Sequence, residues 1–120
     1  EEFWANLSWI EGGPEIWEKI KDHNPYILSA PMKKSEKCIA GKIKWVEKNL
    51  KPTPLWTEMI FDDNKGDHAQ FQTKDGTKVG LLIDDLFFNI KNYRDNGGKA
   101  IWSKNWKRTL KILDYWMKKN

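Results

Sequence analysis

Gly80-Leu81-Leu82-Ile83-Asp84-Asp85 decides how this chain is read. An apolar run that ends at once in two adjacent carboxylates is the pattern of a buried strand opening onto a charged site. Carboxylates are not left buried without a partner. A cation is therefore expected to meet them: a metal ion, a lysine, or the amides that open the next helix.

Working outward, three more short apolar runs end in polar residues. Upstream, Met59-Ile60-Phe61 runs into Asp62-Asp63, and Tyr26-Ile27-Leu28 runs into Ser29-Ala30-Pro31; downstream, Ala100-Ile101-Trp102 runs into Ser103. Helical patterns lie between them. Pro14, at a favoured first-turn position, opens a helix over 14–23 that packs Ile16, Trp17 and Ile20 inward and stops at Asn24-Pro25. Over 35–50, Ile39, Ile43, Val46 and Leu50 form one stripe, and Pro52 and Pro54 end it. A short helical piece is expected over 68–71, then a turn over 73–77 leading into the opening strand at 79–83. After Asp85, Leu86, Phe87, Ile90 and Tyr93 recur at helical spacing, with Asn96-Gly97-Gly98 as the cap. A last helix over 105–118 carries Trp106, Leu110, Leu113 and Met117 on its inner face.

Helices alternating with fully apolar strands predict an α/β fold around a parallel sheet, with its site at the carboxyl ends of the strands. That rim would hold Ser29, Asp62-Asp63, Asp84-Asp85 and Ser103.

The bulk properties agree with one soluble domain over 1–120. Its 120 residues suffice for a core, and eight tryptophans supply much of the apolar area. A net charge of +4 permits an anionic ligand, yet is too mild to point to nucleic acid, which is not the expected partner. The single cysteine, Cys38, rules out an internal disulfide and reads as a small buried residue. With no apolar run of membrane length and no signal peptide, a cytoplasmic protein is expected. The chain opens Glu1-Glu2-Phe3 without a methionine, the expectation being a piece of a longer protein or one whose natural start has been removed.

The rim offers a hydroxyl (Ser29), nearby lysines (Lys33, Lys42, Lys65) and the carboxylate pair. Lysines and a hydroxyl suit phosphoryl oxygens, and paired carboxylates suit Mg²⁺, which keeps waters and substrate phosphate as the rest of its shell. Together they describe metal-assisted phosphoryl transfer. Each residue also has an ordinary structural role open to it: Ser29 as a strand-end turn residue, Lys42 as a solvated helix lysine, Asp84-Asp85 as a cap of the following helix. His23 and His68 have no second ligand at metal spacing, so zinc is not expected.

Three segments in this order, Ile27-Leu28-Ser29-Ala30-Pro31, Gly41-Lys42-Ile43-Lys44-Trp45-Val46-Glu47-Lys48 and Leu81-Leu82-Ile83-Asp84-Asp85, resemble the haloacid dehalogenase superfamily. The closest likeness is to its 5'(3')-deoxyribonucleotidase branch and phage and bacterial relatives, across nearly the whole chain. The resemblance implies a Rossmannoid three-layer sandwich, with 1–12 ending a small cap and 13–120 forming the core. It implies that Ser29 hydrogen-bonds the phosphoryl group, that Lys42 neutralises charge there, and that Asp84 and Asp85 hold Mg²⁺. It places Lys33, Lys65 and Trp4 near the substrate, a nucleoside monophosphate.

The family's nucleophile stands in an Asp-x-Asp motif on a first, central strand, and no such motif occurs in these 120 residues. The expected sheet therefore lacks that strand, and the edges beside it would be open to pairing, including in a homodimer. Three functions follow as expectations: a nucleotide phosphohydrolase represented without its nucleophile, a non-catalytic module that binds a phosphorylated ligand or a protein partner, or a single-strand nucleic-acid binder using Trp102, Lys104, Trp106, Lys107 and Arg108, against which Trp106 falls on the inner stripe of the last helix.

Overall fold

The computed structural model describes residues 8–30 and 36–119. The protein is α/β: the described residues hold four α-helices and six short strands, the strands paired into three two-stranded sheets. The chain divides into two compact units, Glu1–Asp63 and Asn64–Asn120.

In the first unit, α1 (Gly13–Ile20) carries Pro14 in its first turn, as its pattern predicts. It tightens into a 3₁₀ turn at Lys21–His23, and Asn24, in the left-handed region at φ 56°, ends it. Strand β1 (Ile27–Ser29) pairs in parallel with β2 (Met59–Phe61), Leu28 standing opposite Ile60. The Asp62 amide donates to the Ser29 carbonyl at 2.9 Å, adding a rung where both strands end. The crossover between them contains α2 (Glu36–Asn49).

Part of the expected inner faces meets in one cluster: Trp17, Val46 and Leu50 are buried, with Trp9, Ile20, Ile27, Trp45 and Met59 packed on them, while Ile16, Ile39 and Ile43 are half-buried outside it. Trp9 meets Trp45 edge-on, with ring centroids 4.9 Å apart. The Trp17 indole N–H reaches the Lys51 carbonyl at 3.0 Å, so the ring is buried without stranding its donor. Cys38 is buried, as expected.

The second unit departs from the sequence reading at its start. The helical piece expected over 68–71 is instead a 3₁₀ turn, Lys65–His68, followed by β3 (Gln70–Thr73). The single strand expected over 79–83 is two strands, β4 (Gly76–Val79) and β5 (Leu81–Asp84), separated at Gly80. β3 and β4 form an antiparallel hairpin around Lys74-Asp75, and all eight of its strand residues are exposed. A hairpin wet on both sides has no apolar alternation, so periodicity had nothing to report. Gly76 leaves the turn at φ 109°, a conformation side-chain-bearing residues rarely adopt.

β5 pairs in parallel with β6 (Lys99–Trp102), Asp84 standing opposite Trp102, and α3 (Phe87–Asp95) lies in the crossover. Only part of α3's apolar pattern turns inward. Ile90 and Tyr93 are buried, while Leu86 and Phe87 are exposed. Tyr93 lies so close to Gly98 that a Cβ there would strike its ring. The last helix, α4 (Trp106–Lys119), opens at Asn105, whose side-chain oxygen accepts from the amides of Lys107 (3.1 Å) and Arg108 (3.3 Å). Thr109 and Leu113 are its most buried residues. No helix among the described residues is long and apolar enough to cross a membrane.

Candidate functional site

Each parallel pair ends, at its carboxyl edge, in a cluster of the residues singled out above. In the first unit, β1 delivers Ser29 as its last residue, and α2 returns Lys42 to it. The Lys42 ammonium donates to Ser29 Oγ and to the Ala30 carbonyl, both at 2.8 Å. A hydroxyl and an ammonium thirteen residues apart in sequence thus share one spot at the end of a strand.

In the second unit, β5 ends at Asp84, where three donors converge. Lys65 Nζ lies 2.5 Å and Asn89 Nδ2 3.2 Å from Oδ2, and the Leu86 amide lies 2.9 Å from Oδ1. The cation expected at this strand end is therefore a lysine, joined by an amide from the entrance to α3. Lys65 is set by its 3₁₀ turn, which is tied down by Asn64 to Asp67 at 3.0 Å and by Asn92 to Asn64 at 2.7 Å. The ion pair is nearly dry, the Lys65 and Asp84 side chains being 10% and 7% exposed.

Burial by itself pushes the Asp84 carboxyl up. The Lys65 hydrogen bond, the Leu86 amide, the Lys65 charge and the Asn89 amide outweigh that and hold it below the ordinary carboxylate value. Asp84 is ionised at neutral pH. Asp85 is exposed, and its carbonyl accepts the Trp102 indole N–H at 2.9 Å. Trp102 in turn leans on Phe87, with ring centroids 4.8 Å apart.

Of the residues picked from the sequence, Ser29 and Lys42 come together in one unit and Lys65 and Asp84 in the other, while Asp85, next in the chain, is exposed. Trp4 and Lys33 lie outside the described residues. Asn89 was not singled out. Its position in the first turn after the acidic pair was the available signal, since an amide there can turn back onto the strand end that precedes the helix. Asp84 does not act as a side-chain cap of α3 proper; it bonds the Leu86 amide, one residue before the helix begins.

The residues present suit Mg²⁺. A carboxylate has about four lone-pair sites, so the three donors on Asp84 leave one on Oδ1, and Asp85 presents a whole carboxylate to solvent. Mg²⁺ asks for one or two carboxylates and supplies the rest of its octahedron from water and phosphate. No group of three or more His, Cys, Asp or Glu side chains that could hold a metal ion is gathered among the described residues.

No protein-family model matches the chain, and no curated protein or solved structure matches it.

Proposed function

We propose that this chain is the core of a haloacid dehalogenase-like phosphohydrolase, a Rossmannoid three-layer sandwich that dephosphorylates a nucleoside or deoxynucleoside monophosphate. The observation that carries the reading is the identity of the groups at the carboxyl end of each parallel strand pair, each within its own unit. One pair ends in a hydroxyl hydrogen-bonded to an ammonium, the other in an ionised carboxylate next to an exposed one.

In the proposed reaction Ser29 Oγ–H donates to a phosphoryl oxygen, and the Lys42 ammonium, already aimed at that point, neutralises charge on the same group. In the second unit Asp84 and Asp85 would be the residues to hold Mg²⁺, an ion that supplies charge neutralisation in phosphoryl transfer. Lys65 and Asn89 keep Asp84 ionised and fixed. An aspartate attacks phosphorus, the bond to the nucleoside oxygen breaks, and water then hydrolyses the aspartyl-phosphate. These 120 residues contain no Asp-x-Asp to provide that nucleophile.

That missing motif favours one second reading, a module that binds a phosphorylated ligand or a protein partner without turnover. The deciding experiment measures phosphate release from deoxynucleoside monophosphates with Mg²⁺, using the product of the whole open reading frame. Turnover that falls roughly a hundredfold in Ser29→Ala and in Lys42→Ala is expected, the usual cost of removing a transition-state donor. Mg²⁺-dependent binding without phosphate release would select the second reading. Turnover indifferent to both substitutions would overturn the assignment of the site.

A further inference from the structure

Charge is unevenly distributed along the chain. Residues 64–120 carry twelve Lys and Arg against six Asp, a net +6, whereas residues 1–63 carry nine against eleven Asp and Glu, a net −2. The excess gathers at the end, where the stretch 104–119 holds six basic residues and one acidic residue.

On α4 the periodicity of the helix sorts these residues. At about 100° per residue, Lys107, Arg108, Lys111, Tyr115 and Lys118 share one side, while the buried Thr109 and Leu113 share the other. All five of the first group are exposed. Among the described residues no ion pair joins Lys104, Lys107, Arg108 or Lys111 to a carboxylate. Asp114, half-buried, falls about 20° from Lys107 on this same side, so four basic residues share the face with one acidic residue.

An exposed aromatic ring stands beside Lys104, just before this helix. Trp102 is 42% exposed despite its size. Its orientation is set by the indole bond to the Asp85 carbonyl and by Phe87, and Lys104 Nζ sits 5.1 Å from its ring centroid. Lys107 Nζ lies 5.6 Å from the ring centroid of Trp106, which is half-buried.

We propose that the basic face of α4 and the Trp102 ring bind single-stranded nucleic acid. The inference is independent of the hydrolase reading. A face with four exposed cations calls for a polyanion, and a fixed, partly bare indole beside Lys104 calls for a flat partner. Single strands present both, phosphates in a row and bases with free faces, whereas duplex bases are already stacked. An anionic membrane fits less well, because the inner side of α4 is already packed, with Thr109 and Leu113 buried and Trp106, Leu110 and Met117 half-buried. The exposed carboxylate of Asp85, the residue whose carbonyl holds the Trp102 indole, opposes phosphate at that end of the footprint.

The test is a fluorescence-anisotropy titration of the chain with a labelled oligothymidylate of roughly 12 nucleotides over a series of salt concentrations. Four phosphate contacts, from Lys104, Lys107, Arg108 and Lys111, give a slope of log Kobs against log salt of about −3, each alanine substitution making it shallower by about 0.7. Trp102→Ala should weaken binding roughly tenfold without changing the slope, and Trp102→Phe should restore most of the loss. Circular dichroism establishes that each variant is folded. Should Trp102→Ala fail to fold, the exposed pair Lys107→Glu with Lys111→Glu carries the test and should abolish binding. The proposal is overturned by absence of binding at low salt, by a slope unmoved in the lysine variants, or by unaltered affinity in a folded Trp102→Ala. It is equally overturned by tighter binding to duplex DNA or to phosphatidylserine vesicles than to the single strand.

Discussion

At Asp84, three donors converge on one buried carboxylate, and single substitutions there should be expensive in proportion. Lys65→Met removes the one cation and leaves the acid dry and uncompensated, a change expected to cost about 3 kcal/mol by urea unfolding. The double variant Lys65→Met with Asp84→Leu removes both charges and should recover most of that loss. A double variant as unstable as the single one would mean that the pair is held by something other than its own charges. The same contact predicts a pH effect. The folded carboxyl is held below its ordinary 3.8, so its contribution to stability is complete above that value and is lost as pH falls through the lower folded value. Unfolding free energy should therefore drop below about pH 4 in the wild type, and drop less steeply in Asp84→Asn. Acid denaturation curves for the two proteins decide the point.

At the scale of elements, the strands that border the site were legible because each is a fully apolar run with a polar stop: 59–61 matches β2 residue for residue, and 26–28 matches β1 to within one position. The helices were legible from their stripes and stop signals. The hairpin of β3 and β4 was not, since eight exposed residues carry no apolar periodicity and only the turn chemistry at Asp75-Gly76 marks it. Gly76 and Gly98 separate two kinds of glycine requirement. Gly76→Ala meets no atoms and is opposed only by its backbone angle, for about 1 kcal/mol. Gly98→Ala drives a methyl into the Tyr93 ring, an overpacking expected to cost roughly 2–3 kcal/mol. Thermal unfolding of the two variants should rank them in that order. Equal losses would contradict the tight seat of Tyr93.

At the scale of the whole molecule, β1 with β2 and β5 with β6 each form a sheet of only two strands among the described residues, and two-stranded sheets are marginal alone. Their stability rests on the helices packed against them and on whatever pairs with their open edges. Sedimentation equilibrium should show concentration-dependent dimerisation if a second copy covers those edges; a monomer throughout the concentration series would refute association by this route.

The sequence by itself determined the α/β class, the strand ends on which Ser29 and Asp84-Asp85 sit, and the inward faces of α1 and α2. Those features follow from local pattern: apolar runs, helical stripes, and Gly or Pro stops. Only the tertiary structure decided that Lys65 rather than another cation meets Asp84, that Asn89 turns back to it, that Lys42 reaches Ser29, and that Trp102 stays exposed. These contacts join residues up to nineteen positions apart, and periodicity carries no information about which distant side chains a fold brings within hydrogen-bonding distance.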